Sequence, residues 1–238
     1  MNKHYPELGF DLRGECYGWM MIWHVYTAMG KDFFAEIHKI KLAIQAGKKL
    51  HEEQLALLRN IHHAQNNQVD SIRIEFEGFV HQVDRGRMDT FAIVHDKHYA
   101  SNMEIVAKNA VQKALANPGE LIKLTPGTPT SSHAIGMMAL EQHGKVVIKY
   151  FDSNGSEATF IDPMAAAMSA ANLLCFGYAQ HFKRYKLGSN FHNFSITIFK
   201  SQRLQQQCSP LQSSDIVIEL YQPSVGLSSF NLIRRVGF

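Results

Sequence analysis

Apolar side chains follow two different periods along this chain, and the change of period divides it. Over residues 15–29 nearly every direction is apolar: Trp19, Met20, Met21, Ile22, Trp23, Val25 and Tyr26 would cover all sides of one helix. Gly30 follows, where a helix end favours a left-handed residue. A helix apolar all round predicts a buried central helix. Residues 31–45 (Phe33, Phe34, Ile37, Ile40, Leu42, Ile44) and 52–65 (Leu55, Leu57, Leu58, Ile61) repeat apolar positions at helical spacing. Residues 101–116 predict another helix, with Ser101 as cap and Glu104 at the capping-box offset. Residues 69–83 are ambiguous, because Ile72, Ile74 and Phe76 alternate as in a strand between flanks of helical character.

The pattern then changes. Pro118-Gly119 and the run from Thr125 through Pro126, Gly127 and Pro129 to Thr130 are turn signals. Residues 133–140 and 145–151 read as two strands joined near Gln142-His143-Gly144, a hairpin. Asp162-Pro163 opens a further helix through an Ala-rich stretch to about Tyr185. Residues 191–199 and 216–221 supply more strands. Helices first and sheet second imply an α+β fold, with a helical lobe over about 15–116 and an antiparallel sheet lobe over about 120–238. The expectation is a single domain over 1–238, with its active site between the halves.

Composition narrows the function classes. Of the 238 residues 45% are apolar and 19% charged, so the chain has material for a sizeable core and is too apolar for a disordered one. A formal charge of +3, without a dense basic run, argues against nucleic acid. No stretch of about twenty uncharged apolar residues predicts a membrane span. The N-terminus carries no Sec-type signal pattern. Three distant cysteines, Cys16, Cys175 and Cys208, make neither a disulfide framework nor a zinc site, and a reducing cytosol suits them. His62-His63, and His95 with His98, lack the partners that would complete a metal set and read as solvated faces; no cofactor is expected. Trp19 and Trp23 read as core filling. The Arg234-Arg235 pair is too small to anchor the chain on anionic lipid.

Three residues carry the candidate chemistry. Cys16, in Gly14-Glu15-Cys16-Tyr17-Gly18, stands at the first turn of the buried helix, where free amides and the helix dipole favour a thiolate and can donate to an oxyanion. Gly14 and Gly18 would let a substrate chain approach closely. His133 enters a strand from the turn-rich loop, placed as a base is. With the hairpin centred between residues 142 and 143, Asp152 becomes its cross-strand neighbour and can orient the imidazole. Each signal alone is weak; together they describe a nucleophile, a base and an orienting acid.

The order Cys, His, Asp, with Gly-x-Cys-x-Gly opening a Trp-containing helix, Ser132-His133-Ala134-Ile135 on a strand and Phe151-Asp152-Ser153-Asn154-Gly155 ending its partner, resembles the papain-like cysteine proteases. More narrowly, it resembles the YopT/AvrPphB-type effector proteases that bacteria inject into host cells. The resemblance covers roughly residues 9–30 and 130–200. It implies a papain-like fold, a Cys16–His133–Asp152 triad, a host protein as substrate, and export by a specialised secretion machine. Papain-like enzymes commonly place a Gln before the nucleophile to hold the oxyanion. Residues 9–15 contain neither Gln nor Asn, which leaves Asp11 or Arg13 in that place. Asn154 rivals Asp152 as orienter. The same triad also serves deamidases, transglutaminases and proteases of ubiquitin-like modifiers. A non-catalytic interaction module on this scaffold is the other alternative.

Overall fold

A computed structural model describes residues 15–66, 71–76, 79–94, 98–127, 132–154, 156–172, 191–205 and 217–218. The chain is a mixture of helices and a largely antiparallel sheet, in two compact units. The first comprises residues 1–84 and 201–230, the second residues 85–200 and 231–238.

The first unit is built around α1 (Cys16–Ala28), which packs against α2 (Phe33–Gln45) and α3 (Glu52–Asn66). Met20, Met21, Ile22, Trp23, Val25 and Tyr26 are all buried, as an all-round apolar helix requires. Trp23 is fully buried and fills the core as expected, whereas Trp19 is half-buried and meets Phe33 edge-on at 5.8 Å. Gly30, at φ 71°, is the left-handed residue that stops α1. Asp32 caps α2 by accepting from the Ala35 amide at 3.0 Å. The ambiguous stretch resolves as a hairpin: β1 (Ser71–Phe76) pairs antiparallel with β2 (Phe79–Val94). The alternation of Ile72, Ile74 and Phe76 therefore outweighs the helical flanks, and the helical lobe predicted over 15–116 contains strands. The division between units falls within β2.

In the second unit, α4 (Tyr99–Ala116) begins at an N-cap of His98, so Ser101 is a helical residue and not the cap. The strands are β3 (Leu121–Gly127), β4 (Ile135–Gln142), β5 (Lys145–Asp152), β6 (Ser156–Phe160) and β7 (Phe191–Gln205, of which residues 201–205 belong to the first unit), in spatial order β6-β5-β4-β3-β7. Pattern reading missed β3, because Thr125-Pro126-Gly127 looks like a turn. Strand β7 pairs across the proline (Pro126↔Phe194), but on the β4 side, which its carbonyl faces, the ladder runs only from Ile122 to Leu124, so no strand partner needs its missing N–H. Helix α5 (Pro163–Asn172) starts where Pro163 predicts, and Asp162 accepts from the Met164 amide at 2.9 Å; its expected continuation to Tyr185 lies outside the described residues. Helices α4 and α5 pack on the sheet over Ile122, Leu124, Ile135, Met137, Ile148 and Tyr150, the core of this unit. Strand β8 (Val217–Ile218) returns to the first unit as a short parallel neighbour of β1. Among the described residues no helix is long and apolar enough to cross a membrane.

Candidate active site

The β4–β5 hairpin sets the geometry of the histidine. Its turn is two residues, His143 at φ 53° and Gly144 at φ 72°, closed by the Gln142–Lys145 pair. Two successive positive φ values characterise the tight turn whose twist matches a right-handed hairpin. The register that follows puts Asp152 opposite Ile135 and not opposite His133, a displacement of two from the predicted pairing. A slip of two keeps every side chain on its face, because the strand period is two. His133 thus precedes β4 by two residues and reaches Asp152 diagonally.

The loop before it is pinned as well. The His133 amide donates to the Pro126 carbonyl at 3.0 Å, and Ser132 bridges Gly127. The proline that hid β3 from pattern reading therefore holds the histidine backbone through its carbonyl. It lacks an N–H but loses nothing as an acceptor.

His133 Nε2 lies 2.8 Å from Asp152 Oδ1, and the Asn154 amide donates to the same oxygen at 2.9 Å. The Asp152 side chain is 7% exposed and that of His133 14%. As a carboxylate Asp152 only accepts, so Nε2 carries the proton and Nδ1 of the neutral ring is the basic nitrogen. Asn154 Nδ2 is 3.4 Å from the same Nε2, a longer approach to an atom already donating. The orienting contact is that of Asp152. Beneath it, the Tyr150 hydroxyl is pushed well above its ordinary range, chiefly by burial and then by the Asp152 charge, so it stays protonated.

Cys16 belongs to the first unit and the His133–Asp152 pair to the second. Cys16 is the first residue of α1, half-buried and in no disulfide. Glu15 is the N-cap, but its side chain caps nothing; its Oε1 sits 2.8 Å from Nδ1 of His62 on α3. The missing cap comes from α3: the Gly18 amide donates to Gln65 Oε1 at 3.1 Å. Gly18 allows this approach, since a Cβ there would stand 2.0 Å from the Ile61 carbonyl oxygen. Its role is helix packing, not the substrate approach expected of it. His62 likewise departs from the solvated face assigned to it. Sequence reasoning missed Gln65 too, although it continues the apolar stripe Leu58–Ile61 at helical spacing, and a polar residue in a core stripe is a usable signal.

Asp11, Arg13, Gly14, Cys175, Cys208 and His95 lie outside the described residues. Among the described residues no group of three or more His, Cys, Asp or Glu is arranged to hold a metal ion.

No protein-family model matches the sequence, and neither does any curated protein. Among solved structures the chain is similar to a Pseudomonas avirulence protein, AvrPphB, at 16% identity. The alignment covers 78% of this chain and 92% of that one, with a TM-score of 0.38.

Proposed function

We propose that this chain is a thiol acyl-transfer enzyme, a cysteine protease acting on a protein substrate, with Cys16 as nucleophile, His133 as base and Asp152 as orienting acid. The observation that carries the reading is the His133–Asp152 hydrogen bond of 2.8 Å. It commits Nε2 and leaves Nδ1 to exchange a proton with a thiol. The position of Cys16 at the start of a buried helix supplies the second element, since a helix N-terminus stabilises a thiolate.

In the proposed cycle, His133 Nδ1 takes the Cys16 proton and the sulfur attacks the substrate carbonyl carbon. Asp152 supports the imidazolium so formed. Collapse of the tetrahedral intermediate breaks the C–N bond, and the amine leaves with the proton from His133. Water, deprotonated by His133, then attacks the thioester; the carboxylic product departs and the thiol is restored. The motif resemblance to injected effector proteases makes a host protein the proposed substrate and a specialised secretion machine the proposed route. Replacing water by an amine, or a backbone amide by a glutamine side chain, would use the same groups.

The test is a search for new N-termini in host-cell lysate treated with the wild-type chain and with Cys16→Ala. Cleavage that is present with the first and lost with the second supports a protease. An identical pattern with both removes it.

A further inference from the structure

The N-terminus of α1 carries two anionic candidates in succession, the Glu15 carboxylate at the N-cap and the sulfur of Cys16, the first helical residue, and they compete for one helix terminus. A carboxylate at an N-cap is itself favoured by the dipole. A charge one residue from a thiol opposes its ionisation. The Glu15 side chain is 6% exposed, so water screens it little. His62 is placed against it at 2.8 Å, and Asn66 Nδ2 lies 2.8 Å from the other ring nitrogen. Asn66 suits both states of the ring: its NH2 donates to a bare Nε2, and its carbonyl, after an amide flip, accepts from a protonated one.

We infer that His62 is a positioning residue for the nucleophile: by holding and neutralising the Glu15 carboxylate, it leaves the positive end of α1 to the Cys16 thiolate. The inference rests on the reading of Cys16 as nucleophile and adds to it a counter-charge from α3. The first turn of α1 contains no acidic residue. Tyr17 follows Cys16 on α1, and His63 adjoins His62 on α3. Of the charged residues on the two helices packed against α1, Arg59 of α3 pairs with Glu52 and Lys39 of α2 pairs with Glu36. Gln65, three residues beyond His62 on the same helix, clamps the Gly18 amide and holds the two helices in this relation.

The experiment is the pH–rate profile of iodoacetamide alkylation at Cys16 in the full chain, read on the Cys16 peptide by mass spectrometry. His62→Gln keeps a donor for Glu15 but removes the imidazole that, in this proposal, carries the counter-charge. It is expected to move the profile up by about 0.5–1 pH unit, which slows alkylation below the midpoint roughly three- to tenfold. Glu15→Gln is expected to move it down. In the double variant, His62→Gln should add nothing to Glu15→Gln, because the carboxylate it answers is gone. A purely structural role would give the same His62→Gln shift in both backgrounds. That result, or a His62→Gln profile that superposes on wild type, overturns the inference. His133→Ala in the same assay separates it from the proposed function: no response there removes the catalytic pair, while the Glu15–His62 coupling is read from its own variants.

Discussion

His24 lies in the middle of α1, fully buried, and neither ring nitrogen meets a hydrogen-bond partner among the described residues. Burial, and secondarily the nearby His81, lower its pKa from 6.5 to about 3. The unfolded chain therefore binds this proton at a pH where the folded one refuses it. Stability is complete above 6.5 and is drained as pH falls from there towards 3. Each pH unit inside that window costs about 1.4 kcal/mol, so acidification from pH 7 to pH 5 removes about 2 kcal/mol through His24 alone. The assay is urea denaturation at several pH values, followed by tryptophan fluorescence. The chain's two tryptophans, Trp19 and Trp23, both stand on α1, so the signal reports the unit that contains His24. With a urea slope of about 2–3 kcal/mol/M, the wild-type midpoint should fall by roughly 0.7–1 M from this source. His24→Leu removes the titration and the unmet polar atoms, while every other group titrates in both proteins. The difference between the two pH dependences isolates His24. Parallel curves for wild type and His24→Leu would refute the argument.

Gly18→Ala places a Cβ against the Ile61 carbonyl and should destabilise the first unit by about 1–3 kcal/mol or more, seen as a lower fluorescence-monitored Tm. Gly144→Ala, at φ 72°, should cost about 1–2 kcal/mol in the second unit; hydrogen exchange of the β4–β5 amides checks it. Tyr150→Phe removes a buried hydroxyl that meets no partner among the described residues, and should be neutral or stabilising by about 1 kcal/mol in thermal denaturation. In a protease assay with an identified substrate, Cys16→Ala and His133→Ala should abolish turnover with Tm nearly unchanged. Asp152→Asn should retain part of it and Asn154→Ala more, because the shorter contact to His133 is that of Asp152.

Much of the architecture was written in local pattern. The all-round apolar run predicts a buried α1, and the side chains of Met20 to Trp23 leave it no solvated face. The hairpin of β4 and β5 was legible from its turn residues, which already bring Asp152 towards His133. Its exact register was not, because a shift of two leaves the hydrophobic face intact, and only the two-residue turn with both φ values positive decides it. Strand β3 hid behind Pro126, whose missing N–H matters only where a neighbouring strand needs it, and neighbours are a tertiary fact. The surroundings of Cys16 were further out of reach. Glu15 and His62 are 47 residues apart, as are Gly18 and Gln65. Sequence determines that a cysteine opens a buried helix. Which carboxylate stands beside it, and which histidine answers that charge, follows from a helix approach close enough to exclude every side chain larger than that of Gly18.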